Sequence, residues 1–274
     1  MAFPLPRSLS PSKVSSFKDC ALAFRFSAID RIPEPPSPPM VKGTLFHRAL
    51  EGLFWNHPRG ERTPEAAQAE LARAWSELQA DPELAGLGLA ADELEQLRAE
   101  AATLVGREFA LEDPDAVDTV GVELTLEAEV GGMRLRGIID RLDRTPEGDL
   151  VVVDYKTGRV PGEHQEQARL SGVHFYALLC EAVLGRRPSR VRLLYLADPV
   201  LIEATSTEQT QRGLRLRTGA IWTAIALACE TGDFRPKPSA LCRWCSFQPL
   251  CPAFGGNPTP EAVALRRSSP APAG

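Results

Sequence analysis

The chain has 274 residues, 43% of them hydrophobic, and a formal charge of −5. That is enough apolar material for one sizeable domain or two small ones. No apolar run approaches a membrane span, no signal-peptide stretch opens MAFPLPRSLSPSK, and no global basic field draws in nucleic acid; a cytoplasmic protein is expected, in which clustered cysteines serve as metal ligands rather than disulfides.

Ser10-Pro11 is a helix N-cap with proline at the first helical position, so a helix is predicted through about Phe26, carrying Cys20. The proline-rich IPEPPSPP (32–39) is a stiff connection. GTLFHRALEGLFW (43–55) places Leu45, Ala49, Leu50 and Leu53 on one helical face. Thr63-Pro64 caps a helix to about Leu78, and another runs from about Asp92 to Phe109. Together these form a helical insertion over about 44–110, ahead of the first clear strand.

The centre is a predicted meander over 120–158. VELTLEAEV (122–130) alternates, with Val122, Leu124, Leu126, Ala128 and Val130 on one face. Gly131-Gly132 is a two-residue hairpin turn into MRLRGIIDRLD (133–143). Pairing Val130 with Met133 sets Glu129 against Arg134 and Glu127 against Arg136, opposite charges that support the register. The same register puts Glu123 opposite Asp140. After TPEGD, the strand LVVVDYKTG (150–158) pairs so that Asp140 faces Asp154, with Lys156 on the same face as Asp154.

Glu123, Asp140, Asp154 and Lys156 would therefore share one side of the meander, with opposed Cβ atoms about 4.5–5.5 Å apart. Carboxylates that close repel unless a cation sits among them, and an all-oxygen set favours Mg²⁺ or Mn²⁺. Such a cation can stabilise a phosphodiester transition state, with Lys156 orienting water or neutralising charge. A solvated polar face is the plain alternative. It fits poorly, because Asp154 and Lys156 interrupt an otherwise apolar strand.

Residues 163–185 and 207–230 read as helices around a strand at 190–197. Arginine-dense GRRPSRVR (185–192) and RGLRLR (212–217) are either solvated faces or a phosphate-binding stripe. Cys180 and Cys229 fall in apolar helical patterns, as core thiols. Cys242, Cys245 and Cys251 are spaced C-x2-C-x5-C in a short loop. With Cys20 they make four thiolates, enough for an iron–sulfur cluster or a tetrahedral Zn²⁺ site. Residues 256–274 are rich in Pro, Ala, Gly and Ser and are expected to be a disordered tail.

GIIDR and VVDYKTG resemble the signature of the PD-(D/E)XK nuclease superfamily, with Asp140 at its first aspartate and Asp154-Tyr155-Lys156 at its (D/E)-x-K element. GTLFHRALE resembles the G-x-x-x-H helix of the RecB-like branch, which implies His47 as a further metal ligand alongside Asp140 and Asp154, and biases the site toward Mn²⁺. Glu123 matches the acid preceding the first aspartate and would bind the metal directly or through water. The four cysteines resemble the 4Fe–4S staple of AddB-type and CRISPR-adaptation nucleases. The likeness spans residues 8–254 and implies a nuclease domain over 8–255.

The resemblance implies an α/β fold, a central mixed sheet flanked by helices. It implies a metal-dependent DNA nuclease, a single-strand exonuclease of repair or recombination, with Tyr176 and the nearby Arg141 holding the strand. One departure is Gly172, which stands where the family carries glutamine four residues before the tyrosine; Gln167 lies over a turn away. His164 and His174 on the same helix read as surface or supporting residues. An endonuclease of CRISPR-adaptation type and a non-catalytic nucleic-acid-binding module remain alternatives. Ser10-x-x-Lys13 and Lys156-Thr157-Gly158 echo penicillin-binding enzymes, but no SDN-like element lies between them. No G-x-x-x-x-G-K-[ST] occurs, so ATP-driven unwinding would need a separate helicase.

Overall fold

A computed structural model of the chain describes residues 3–160 and 162–268. Near the N-terminus lie α1 (Pro11–Asp19), α2 (Ala21–Phe24) and a π-helical turn (Arg25–Ile29). The predicted helix is thus interrupted. Cys20 adopts an extended conformation, φ −161° and ψ 112°, between α1 and α2. Ser10 caps α1, its hydroxyl accepting from the Lys13 N–H at 3.3 Å.

Next come α3 (Pro38–Asn56), α4 (Pro64–Leu78), the single turn α5 (Pro82–Ala85) and α6 (Ala91–Leu111). The strands β1 (Asp118–Val130), β2 (Met133–Arg144) and β3 (Leu150–Lys156) follow. Then come α7 (Glu163–Leu184), β4 (Arg190–Tyr195), β5 (Val200–Thr205), α8 (Glu208–Thr231) and α9 (Pro260–Ser268). The sheet order is β1-β2-β3-β4-β5. β3 and β4 are parallel, joined through α7, whereas β2–β3 and β4–β5 are antiparallel. This is the mixed sheet expected, because a parallel neighbour needs a helical crossover and the hairpins do not.

The chain divides into two compact units, one of Pro36–Glu127 with Gly137–Gln211, the other of the residues up to Pro35, Ala128–Arg136 and Arg212 onward. In the first unit, Val41, Leu45, Phe46, Ala49, Leu50 and Leu53 of α3 pack with Leu71 and Leu78 of α4 and Leu97, Leu104 and Val105 of α6. They meet Val151, Val153 and Tyr155 of β3 and Leu194 of β4. Burying each large aliphatic side chain contributes about 1.5–3 kcal/mol. Cys180 is fully buried, and burial pushes its thiol up to about 12. In the other unit, Leu9 bridges to Leu135, Phe26 packs on Phe247 and Phe3 on Phe234. Cys229 is also buried, its thiol donating to Pro4 O at 3.7 Å. Both behave as core thiols.

Two points differ from expectation. The strand β5 was not anticipated: it follows the Asp198-Pro199 turn and pairs along its length with β4. The tail is not disordered from 256. Pro260–Ser268 are helical, with Val263 buried and the Thr259 hydroxyl accepting from the Ala262 N–H at 3.2 Å. The arginine run 185–192 is a solvated face, one of the two readings offered, with Arg186, Arg187 and Arg190 exposed. Arg190 and Arg192 pair with Glu203 across β4–β5, and Arg186 donates to Gly148 O.

Candidate active site

The β2–β3 ladder runs from Arg144 opposite Leu150 to Arg141 opposite Val153. One step further, this register sets Asp140 against Asp154, as expected. Here the ladder gives way to a side chain: the Tyr155 N–H donates to Asp140 Oδ2 at 2.7 Å. Asp154 is 4% exposed, and its carboxylate pairs with the Lys156 ammonium.

α3 brings His47 to these acids. Its Nδ1 lies 3.7 Å from Asp140 Oδ2 and 3.7 Å from Glu123 Oε1. Gly43, one turn earlier on α3, faces Thr157, so the helix meets the end of β3. The His47 ring also sits edge-on to Tyr155.

Glu123 reaches the group by a backbone irregularity. Its φ is +44°, a left-handed conformation costing about 1–2 kcal/mol for a residue with a side chain. A left-handed residue inside a strand breaks the two-residue alternation and so re-aims the side chains around it. The unbroken alternation expected along 122–130 therefore fails at Glu123. Val122 packs with the helical core instead.

Among the described residues, His47, Glu123 and Asp140 are the one group of three whose ligand atoms lie within 4.8 Å of one another. The electrostatics fit a cation. Burial, and then the charge of Asp154, raise Asp140 to about 7, against the lowering effects of His47, the Tyr155 N–H and Lys156. Burial disfavours the His47 imidazolium, but Glu123, Asp140 and Asp154 outweigh it and hold its pKa above the ordinary value. An imidazole and two oxygens on crowded carboxylates form a donor set suited to Mn²⁺ or Mg²⁺. Asp154 lies outside this trio, held by Lys156.

The site opens into a cavity of about 510 Å³ lined by Thr44, His47, Arg48, Glu51, Glu123, Ile138, Asp140 and Tyr176. Burial and the nearby acids Asp154, Asp140 and Glu123 raise the Tyr176 phenol. Tyr176 packs so closely on β2 that a Cβ at Gly137 would meet Tyr176 Cε1 at 2.8 Å and Leu179 Cδ1 at 2.9 Å. Gly137 was not singled out from the sequence, although a glycine inside a strand often marks such an approach. Gly172 lies on α7, four residues before Tyr176; the side chains of Gln167 and His164 lie outside the described residues. The His174 carbonyl accepts from Gln211 Nε2 at 3.3 Å.

Arg141 cannot hold a DNA strand. Its side chain is fully buried, 3.4 Å from Glu108, 2.5 Å from Glu112 and 3.0 Å from Asp143, and it donates to the Tyr155 hydroxyl. The sequence concealed this because Glu108 sits on the apolar stripe of α6 (Leu97, Ala101, Leu104, Val105), an acid where only a buried partner could keep it. Burial, then Glu112, holds Glu108 well above the usual carboxylate range, whereas Arg141 outweighs burial at Glu112 and holds it low.

The four thiols fall in the second unit. Cys245 is raised by burial and by the charges of Cys20, Cys242 and Cys251, each of which acts on it. Two main-chain N–H groups point at sulfur: Lys237 to Cys20 at 3.5 Å and Ser239 to Cys242 at 3.3 Å. No described helix is long and apolar enough to cross a membrane.

Comparison with known proteins agrees with this geometry. The sequence model of the PD-(D/E)XK nuclease superfamily matches residues 8–252. Two Gene 69 proteins are similar. That of Mycobacterium phage D29 is 28% identical over 290 residues, covering 89% of this chain and 96% of the relative. That of Mycobacterium phage L5 is 28% identical over 136 residues, covering 48% of this chain and 44%, under half, of the relative. The crystal structure of a candidate exonuclease from Eubacterium rectale shares the fold, with a TM-score of 0.51 and 11% identity, covering 88% of this chain and 87% of that one.

Proposed function

The chain belongs to the PD-(D/E)XK nuclease superfamily, and we propose that it is a single-strand DNA exonuclease of repair or recombination, of the RecB-like branch. The convergence of His47, Glu123 and Asp140 within 4.8 Å, beside Asp154 and Lys156, carries this reading. His47, Asp140 and Asp154 would hold Mg²⁺ or Mn²⁺, with Glu123 binding directly or through water. When bound, the cation would offset charge on the phosphodiester and lower the pKa of water. The residues themselves do the positioning. The Tyr155 N–H fixes Asp140, and Lys156 offers an ammonium to the attacking water or to a phosphate oxygen. Tyr176 offers a ring and a hydroxyl at the cavity wall. A cavity of about 510 Å³ is the size of a small-ligand pocket, which suits one strand end rather than a duplex.

Labelled linear and circular DNA, single- and double-stranded, tests this with Mg²⁺ or Mn²⁺. Linear single strands should be degraded by the wild type and spared by Asp154→Ala and Lys156→Ala. Equal cleavage by wild type and either variant sinks the catalytic assignment, and cleavage of circles makes the enzyme an endonuclease.

The thiols of Cys20, Cys242, Cys245 and Cys251 are read as holding a 4Fe–4S cluster. Protein purified without oxygen should be brown; colourless protein containing zinc would replace the cluster with Zn²⁺.

A further inference from the structure

The net charge of −5 hides an opposed pair. The unit bearing the thiols holds fifteen Lys and Arg against seven Asp and Glu, a formal +8, and the other unit holds sixteen against twenty-nine, a formal −13. The arginine run 212–217 belongs to the basic unit, on α8.

Part of this charge is concentrated. The Leu9 N–H donates to Arg134 O and the Arg136 N–H to Leu9 O, which sets the start of α1 beside Arg136. Lys13 donates to Ser8 O at 2.8 Å. Burial, then the cations of Arg136 and Arg31, lower its pKa, and the Leu9 contacts place Arg136 beside it. Arg31 is itself held at φ +55°. Three residues on, Glu34 accepts from the Ser246 hydroxyl at 3.5 Å, which brings this segment to the cysteine loop. There, between Cys242 and Cys245, Trp244 is 82% exposed, beside exposed Arg243 and with Leu241 58% exposed.

A large ring left in water beside an exposed arginine is unlike the core of a protein interface, where charge is depleted. It has the parts of a single-strand platform: a flat π-surface for a base and cations for phosphates. We propose that this unit grips single-stranded nucleic acid, a base stacking on Trp244 and neighbouring phosphates meeting Lys13, Arg31 and Arg136. The ligand class rests on the nuclease reading. The grip itself uses none of the residues of the candidate active site.

The test is fluorescence anisotropy of a labelled oligo-dT with the full chain, its cysteine site loaded and divalent cation withheld. Trp244→Ala should weaken binding about 5- to 100-fold, and Trp244→Phe should restore most of it. Arg136→Gln should flatten the slope of log affinity against log salt by about 0.7. Wild-type affinity in Trp244→Ala, an unchanged slope in Arg136→Gln, or equal competition by duplex overturns the grip. Cleavage is read on the same preparations. Trp244-dependent binding without wild-type cleavage sinks the nuclease reading and leaves the grip standing; wild-type cleavage with Trp244-independent binding sinks the grip alone.

Discussion

The main-chain N–H of Tyr155 donates to Asp140 Oδ2 at 2.7 Å, so β3 holds the acid that β2 carries. On the reverse side of the same residue, the Tyr155 hydroxyl meets Arg141, the chain neighbour of Asp140. One residue thus fixes both the candidate ligand and the buried cation next to it.

Asp140 should make stability and metal binding run oppositely with pH. Its folded pKa of about 7 stands above the ordinary carboxylate value, so between pH 4 and 7 the folded chain keeps a proton that the unfolded chain has released. The stability this group contributes is fully present below its unfolded pKa and is lost as pH rises to about 7. Without divalent cation, Asp140→Asn should melt a few degrees above wild type at pH 8, at about 2–4 °C per kcal/mol, with the gap closing near pH 4. Metal affinity of the wild type should rise toward pH 7 and be lost in the variant. Matching melting curves at pH 8 would contradict the burial argument.

Arg141→Met should destabilise by about 3–5 kcal/mol, because it leaves buried Glu108, Glu112 and Asp143 without their cation. Adding Glu108→Gln should recover part of that loss. Urea midpoints check this. A variant with wild-type stability and weakened DNA binding would return Arg141 to the DNA.

Gly137→Ala should cost about 1–3 kcal/mol by overpacking β2 against α7, and should raise KM by displacing Tyr176. Tyr176→Ala in the same chain should relieve the stability loss. An alanine variant with unchanged urea midpoint and KM would show that α7 yields freely.

The acids of the strands were legible because period-two alternation and a two-residue turn fix register, and β3 between apolar residues has one buried solution. The reach of Glu123 was not, since no local residue announces a left-handed bend inside a strand; neither glycine nor asparagine stands at 123. Arg141 misled for the opposite reason. Beside an aspartate expected to bind metal, a cation reads as a DNA contact, yet alternation sends it through the sheet, where Glu108 of α6 waits. The charge split escaped because its basic half is assembled from three separate stretches of chain, which only folding collects.

The left-handed Glu123 also bears on descent. Glycine at this position would relieve a strain of about 1–2 kcal/mol, and one nucleotide change separates some glutamate codons from glycine. The strained acid therefore marks a place where the scaffold would gain from a substitution and the site would lose a carboxylate.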